Sequence, residues 1–155
     1  MTAATNRNGI DAKSTMSVTI EEALESEGFY VGLPTGNSMW PMLRSGKDHF
    51  VIVPASKSML IGDVALFRQN EKLILHRIIN RNENEYTMRG DNCISCEHVS
   101  HKAIIGKLSG FYRGSSYFDC EHSAIYSIYC RTLVFHYLTN KTLQALKAFC
   151  RRLSG

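Results

Sequence analysis

Residue types that can perform acyl-transfer chemistry occur in order along this chain. Ser38 lies in the bend "GNSMWPML", His76 lies in the apolar stretch "LILHRII", and Asp91 and Glu97 lie in "RGDNCISCEH". A serine hydroxyl becomes a good nucleophile only when a neighbouring base accepts its proton, and a histidine oriented by a carboxylate suits that task. The set allows covalent chemistry by Ser38 with His76 and one of the two acids, but alone it is a weak signal, because most chains of this size contain these residue types.

Each of these side chains also has an ordinary structural interpretation. A serine near a proline can form a turn, a histidine in an apolar strand can be a hydrogen-bonded core residue, and an aspartate in "GDN" can cap local backbone. Glu97 can be a solvated loop residue. The elements around these residues decide between the two interpretations, because catalysis requires the three groups to meet.

The charge of the chain is unevenly distributed. The 155 residues include 18 Lys and Arg and 14 Asp and Glu, for a net charge of +4. From His122 onward there are five basic and no acidic residues, which leaves 13 basic and 14 acidic residues before that point. A nucleic-acid-binding domain presents a basic face on its folded core, so no nucleic-acid partner is predicted. The length and ordinary composition predict a single core.

The N-terminal part of the chain changes character near residue 17. Residues 1–16 are polar and aperiodic, which predicts a disordered segment and excludes a signal peptide. The next stretch, "SVTIEEALESEGF", predicts a short helix, because Thr19 and Glu22 have the spacing of a capping box and Gly28 is a natural end. Five cysteines without a signal peptide indicate reduced thiols and a cytoplasmic protein.

Five short apolar segments separated by turn residues predict strands. The separators, such as "SGKD", "RQNE" and "NRNEN", carry residues that favour turns, and no strong helical period lies between them. The fold class is therefore predicted to be mainly β with antiparallel hairpins, in a domain that covers residues 17–115. The predicted strands are residues 49–53, 63–67, 72–79, 85–88 and 103–108.

Residues 116–155 predict a basic amphipathic helical tail. The apolar positions that recur at helical spacing in "NKTLQALKAFCRRL" are Leu143, Leu146, Cys150 and Leu153. The apolar stretch before them is 16 residues long and contains Arg131, so it is too short and too interrupted to span a membrane. The helix is expected to pack on the body or on a partner, or to make a peripheral contact with an anionic membrane surface.

Cys93 and Cys96 have the C-x-x-C spacing of a zinc-binding pair, and His98 and His101 are near them in sequence. A structural zinc site normally takes four ligands, often as two separated pairs, and no second C-x-x-C follows here. No metal site and no cofactor is therefore predicted.

Five short motifs occur in order between residues 32 and 110. They are G-x-S-M-x-P-x-L around Ser38, GD at Gly62 and Asp63, HRI from His76, RGDN from Arg89, and IIG at residues 104–106. As a set they resemble the signal peptidase superfamily of serine peptidases. The resemblance implies the β-rich peptidase body of that family and cleavage of peptide bonds.

Within that superfamily the chain is similar to the archaeal and endoplasmic-reticulum branch, in which a histidine stands where other members have a lysine base. The resemblance implies that Ser38 is the nucleophile and His76 the base. In that branch an aspartate six residues after the Asp of the GDN motif orients the histidine, and the same step from Asp91 reaches Glu97. Glu97 is thus the expected orienting acid, and Asp91 a structural or secondary one.

The residues beside the nucleophile, Gly36, Asn37 and Met39, are the expected substrate- and oxyanion-binding residues. The family often has a serine two positions before the nucleophile whose hydroxyl helps to bind the oxyanion, and this chain has Gly36. The backbone N–H of Ser38 and the side-chain amide of Asn37 remain as donors. Loss of one oxyanion donor costs about 2.7–4 kcal/mol in transition-state stabilisation, so low activity is expected.

These observations predict a serine endopeptidase that cleaves a peptide or protein substrate, such as a leader removed during peptide maturation. By resemblance, small side chains are expected near the cut, and a soluble member is expected because the family's membrane anchor is not present. The alternative is a peptide-binding module on the same fold that does not cut. A self-cleaving transcriptional regulator is disfavoured, because the segment before the peptidase body is too short for a helix-turn-helix domain.

Overall fold

The chain is organised around one antiparallel β-sheet. The computed structural model describes residues 19–56 and 58–153, so the predicted disordered segment, residues 1–16, lies outside the described residues. Within them there are eight strands, two α-helices and one 3-10 turn at His101–Ala103. The helices are α1 (Ile20–Ser26) and α2 (Ala124–Leu153). The strands are β1 (Tyr30–Gly32), β2 (Asp48–Pro54), β3 (Val64–Gln69), β4 (Lys72–Arg81), β5 (Glu85–Arg89), β6 (Glu97–Ser100), β7 (Ile104–Arg113) and β8 (Ser116–Asp119).

The order across the sheet is β1-β2-β7-β3-β4-β5-β6, with β8 paired to β7. The predicted mainly β fold class is confirmed, and the five predicted strands correspond to β2, β3, β4, β5 and β7. The strands that the sequence pattern does not predict, β1, β6 and β8, have only three or four residues. Segments that short do not show a clear alternation of apolar and polar residues.

Strand β3 lies in the middle of the sheet and is buried on both faces. Val64 and Leu66 belong to one hydrophobic cluster, and Ala65 and Phe67 belong to a second. Successive side chains of a strand point to opposite faces, so the two clusters lie on the two sides of the sheet. This explains why β3 is a continuous apolar run rather than an alternating one.

Helix α1 begins at the predicted capping box. The Glu22 backbone N–H donates to Thr19 Oγ1 (3.2 Å), and the Thr19 N–H donates to Glu22 Oε2 (2.8 Å). These bonds satisfy backbone donors that the first helical turn leaves free. Leu24 is the buried residue of the helix and joins the cluster of Val64 and Leu66, so α1 closes one side of that core.

The C-terminal part differs from the prediction at its start. Residues 116–119 form β8 rather than helix, because Gly114 turns the chain at φ 63° and Phe118 stacks on Phe111 with ring centroids 5.0 Å apart. Helix α2 begins after Ser123, whose hydroxyl accepts from the Tyr126 N–H (3.2 Å). The predicted basic face lies mostly on residues 140–153, nearly all of whose side chains are outside the described part. No helix in the described ranges is long and apolar enough to cross a membrane.

Candidate active site

Ser38 lies in the bend between β1 and β2, which is anchored in the core. Met39, Met42 and Leu43 are all buried in the cluster of Val64 and Leu66. The Leu43 N–H donates to the Met39 carbonyl (2.9 Å), which closes the turn that follows the serine. Because the residues after Ser38 are held by packing, the half-buried serine has a defined position at the surface.

The far end of this bend is held by Asp48, whose side chain is fully buried. Its carboxylate accepts from the Arg44 backbone N–H (2.9 Å) and from the Arg44 guanidinium (2.7 Å), and Arg113 lies 3.5 Å away. Burial alone would raise the pKa of Asp48, but the hydrogen bonds from Arg44 outweigh it and lower that pKa. The bend therefore has a charged anchor at one end and an apolar anchor beside Ser38.

His76 is a buried residue of β4 that bonds to Glu97 at the start of β6. The His76 Nδ1 atom lies 2.9 Å from Glu97 Oε2, and the Glu97 side chain is 24% exposed. The imidazole also packs edge-on against Phe67, with ring centroids 6.1 Å apart. A carboxylate at Nδ1 fixes the tautomer in which Nε2 is the proton acceptor.

The second ring nitrogen of His76, Nε2, is at most slightly exposed, because the whole side chain is 7% exposed. Among the described residues that are not exposed, the buried side-chain N and O atoms without a hydrogen-bond partner are His101 Nε2 and Arg113 Nε. His76 Nε2 is not one of them and has no hydrogen-bond partner in the described part, so it is reachable from the surface. The ring therefore presents its basic nitrogen outward and its other nitrogen to Glu97.

Asp91 forms a buried ion pair with Arg77, the residue after His76. Arg77 Nε donates to Asp91 Oδ1 (2.8 Å) and the second guanidinium nitrogen, NH2, donates to Asp91 Oδ2 (2.7 Å), and both side chains are 1% exposed. Adjacent residues of a strand point to opposite faces, so His76 and Arg77 bond to different acids, Glu97 and Asp91. Of the two candidate acids, Glu97 is the one that contacts His76.

The first turns of α2 cover this ion pair. The Tyr129 hydroxyl donates to Asp91 Oδ2 (3.0 Å), and Arg77 also donates to Cys130 Sγ (2.9 Å) and to the Gly62 carbonyl (2.7 Å). Burial raises the pKa of Tyr129, and the charge of Asp91 adds to that effect. Roles for Arg77 and Tyr129 were not predicted from the sequence, although an arginine inside the apolar stretch "LILHRII" is a signal for a buried partner.

The turn after β5 holds Ser38 from the other side. The Asn92 N–H donates to the Ser38 carbonyl (2.8 Å), and the Cys93 N–H donates to the Gly90 carbonyl (2.9 Å). A Cβ on Gly90 would lie 2.7 Å from the Ser38 carbonyl oxygen and 2.9 Å from Ser38 Cβ. The RGDN motif therefore needs glycine at this position because two backbone segments meet there.

We predict that Gly90→Ala displaces the serine bend. The added methyl group meets a backbone oxygen that cannot rotate away, and overpacking of this kind costs about 1–3 kcal/mol in the free energy of unfolding. A shift of the nucleophile by about 1 Å lowers reactivity by roughly 10²-fold. Urea unfolding and the rate of Ser38 labelling measure the two effects. Gly36→Ala is the control for stability, since its methyl group meets no atom within 4 Å. An equal loss of stability in both variants would contradict the explanation that the Gly90→Ala methyl group clashes with the serine bend.

Ser38 and His76 line the same groove, which has a volume of about 480 Å³. Within the described residues no hydrogen bond joins the Ser38 hydroxyl to His76. Such contacts are often long before substrate binds and tighten in the complex. The structure therefore brings together Ser38, His76 and Glu97, and it places Asp91 behind them, against Arg77.

The residues predicted to bind substrate and oxyanion lie around Ser38 in different environments. Gly36 lines the groove with open space around it. The Asn37 carbonyl accepts from the Trp40 N–H (3.1 Å) and from the Asn92 side-chain amide (3.3 Å). The exposed side-chain amide of Asn37 takes part in none of the described hydrogen bonds. Met39 is buried in the core and also borders the groove. In the described hydrogen bonds the Ser38 N–H has no protein acceptor, as an oxyanion donor requires.

The cysteine pair near the site does not assemble a metal centre. No group of three or more His, Cys, Asp or Glu side chains within the described ranges is arranged to hold a metal ion. Cys96 Sγ lies 3.9 Å from the Tyr137 hydroxyl of α2, and His98 bonds to Glu85. Burial and the nearby charge of Glu97 raise the pKa of the Cys93 thiol, so Cys93 is held in its neutral form beside the serine bend.

No protein-family model matches this chain, and no curated protein is significantly similar to it.

Proposed function

We propose that this protein is a serine endopeptidase in which Ser38 is the nucleophile, His76 the general base and Glu97 the positioning acid. The observation that carries the proposal is the hydrogen bond between His76 and Glu97 (2.9 Å), formed at the groove that Ser38 also lines. The order of the five sequence motifs, which resemble the signal peptidase superfamily, is an independent support. No metal or cofactor takes part in the proposed mechanism.

The free edge of β4 is the proposed binding site for the peptide backbone. Strand β5 pairs with residues 77–81 of β4, and none of the described strands pairs with the same edge of residues 72–76. A peptide in extended conformation can add to such an edge through main-chain hydrogen bonds. The edge ends at His76, so an added strand passes directly in front of the base.

The proposed reaction is an acyl transfer in two steps. Ser38 Oγ attacks the carbonyl carbon of the peptide while its proton passes to His76 Nε2, and the Ser38 N–H stabilises the oxyanion. The C–N bond then breaks, and His76 returns the proton to the departing amine. Water attacks the resulting ester with His76 again as base, which releases the acid and restores the serine. Glu97 stabilises the imidazolium that forms in each step.

Labelling by a diphenyl phosphonate tests the proposal. The Ser38 oxygen forms a bond to phosphorus and phenol is released, so the intact mass reports the reaction. We expect one adduct on the wild-type protein, located at Ser38 by peptide mapping, and none on Ser38→Ala. Ser45→Ala is the matched control, because Ser45 follows Ser38 in the same bend and is outside the groove. A folded wild type that is not labelled would contradict the proposal.

We predict that Glu97→Gln slows labelling by roughly 10²-fold or more, because an amide at Nδ1 cannot stabilise the imidazolium. The stability of the protein is expected to change little, since Glu97 is partly solvated. Glu85→Gln is the matched control: Glu85 makes the same kind of contact with His98 (3.0 Å) on the exposed surface. Second-order rate constants of labelling measure both variants, and equal rates for the two would remove Glu97 from the mechanism.

A peptide-binding module that does not cut is the second candidate. It is favoured by the missing hydrogen bond between the Ser38 hydroxyl and His76 in the described structure, and by Gly36, which supplies no side-chain oxyanion donor. In that case the groove and the free edge of β4 bind the peptide, and its mass stays unchanged during incubation. Measurable peptide affinity in the absence of phosphonate labelling selects this alternative.

A further inference from the structure

The groove at Ser38 has an apolar lining. None of the described residues that line it carries a carboxylate, an ammonium or a guanidinium group, and most are aliphatic or aromatic. The larger ones include Tyr30, Leu33, Phe50, Leu66 and Leu75. A charged group placed in such a lining loses its hydration and gains no partner. The composition of the groove therefore favours an uncharged occupant.

The size of the groove also restricts its occupant. Its volume of about 480 Å³ lies within the range of pockets that bury most of a small ligand. Its lining runs along the unpaired edge of β4, from Leu73 to His76, and reaches Ser38 on the opposite side. A strand added to that edge alternates its side chains, so one of the side chains beside the reacting bond points into this space.

We propose that the groove selects peptides that carry a large, uncharged apolar side chain, of leucine size or larger, next to the bond presented to Ser38. This inference rests on the proposed function and names its substrate class. It differs from the small side chains that the family resemblance implies. An alanine in the groove leaves its apolar walls in contact with water, whereas a leucine or phenylalanine covers them. Each methylene group that is buried in this way is expected to raise the affinity roughly fourfold.

A series of phosphonates tests this selectivity. Five diphenyl phosphonates differ only in the side chain next to phosphorus, which is that of Ala, Val, Leu, Phe or Lys. We expect the second-order rate constant of Ser38 labelling to rise from Ala to Leu and Phe by at least about tenfold, and the Lys probe to react no faster than the Ala probe. A flat series, or a series in which Ala reacts fastest, would overturn the inference.

A variant at the rim of the groove tests the location. Leu33 is 45% exposed and lines the groove, so Leu33→Asp adds a charge there without removing a core residue. We expect it to slow the Leu probe by about tenfold and to speed the Lys probe, because the new carboxylate pairs with the ammonium group. Leu60→Asp is the matched control, 60% exposed and outside this groove. Equal effects of Leu33→Asp and Leu60→Asp on the labelling rates would show that the groove does not determine the selectivity.

Equilibrium binding separates this inference from the proposed function. Calorimetry of the Leu and Ala phosphonates with Ser38→Ala measures affinity without the covalent step. If no probe labels the folded wild type but the Leu probe binds Ser38→Ala more tightly than the Ala probe, the proposed catalysis fails and the selectivity stands. If Ser38 is labelled and the two probes bind and react equally, the selectivity fails and the catalysis stands.

Discussion

Replacing His76 with glutamine is expected to slow the phosphonate labelling of Ser38 by at least about 10³-fold, since a general base contributes roughly 10²–10⁴-fold and serine is almost unreactive without one. His76 is the proposed base, because its Nδ1 atom contacts Glu97 and its side chain lines the groove.

His98→Gln is the matched control for this prediction. His98 also bonds to a glutamate through Nδ1, but its side chain is 63% exposed and lies outside the groove. We expect its labelling rate to stay close to that of the wild type. Because His76 is buried and packs against Phe67, thermal unfolding of both variants is measured first. Labelling rates are then compared at a temperature where both variants are folded. An undiminished rate in folded His76→Gln would show that another group activates Ser38.

The second large effect is expected on stability. Asp91→Asn leaves the Arg77 guanidinium buried without a counter-charge, and breaking a buried ion pair in this way costs about 3–5 kcal/mol in the free energy of unfolding. For a chain of this length the melting temperature is expected to fall by roughly 10 °C. Burial alone would lower the pKa of Arg77, but its hydrogen bonds to Asp91 outweigh burial and raise that pKa. Removal of the acid therefore takes away the contact that offsets the cost of burying the arginine charge.

Urea unfolding of further variants tests whether the lost stability comes from the unpaired buried charge. Glu21→Gln breaks an exposed pair with Arg68 (2.8 Å) and is expected to cost less than about 1 kcal/mol. The double variant Arg77→Met/Asp91→Leu is expected to lose less stability than the single variants Arg77→Met and Asp91→Leu lose in sum, because neither charge then remains buried alone. A stable Asp91→Asn protein with slow labelling would instead assign Asp91 to the chemistry.

The different contacts of the two acids, Glu97 and Asp91, depend on features that the sequence alone does not determine. The resemblance to the peptidase family indicated Glu97 by a count of six residues from Asp91, and it left Asp91 as a structural or secondary acid. The contacts of the two acids depend on the alternation of His76 and Arg77 along β4 and on the pairing of β6 with β5. Neither can be read from spacing alone, because the residues that meet are 14 to 21 positions apart.

The local features of the chain were predictable because their causes are local. The capping box of α1 involves residues three apart, and the five longer strands show apolar runs bounded by turn residues. Strands β1, β6 and β8 were not predictable, since each has at most four residues and exists through its pairing with a neighbour. Strand β8 and the start of α2 at Ala124 also depend on contacts with β7 and the core.

By itself the sequence determined the mainly β body, the order of Ser38, His76 and the two acids, and the bend that carries the serine. Only the tertiary structure decided that Glu97 bonds to His76, that Asp91 pairs with Arg77 beneath α2, and that an apolar groove lies beside Ser38. The physical reason is that strand formation and caps follow from nearby residues. Buried charges and grooves instead arise where distant segments meet, and each buried charge then requires a partner from another element.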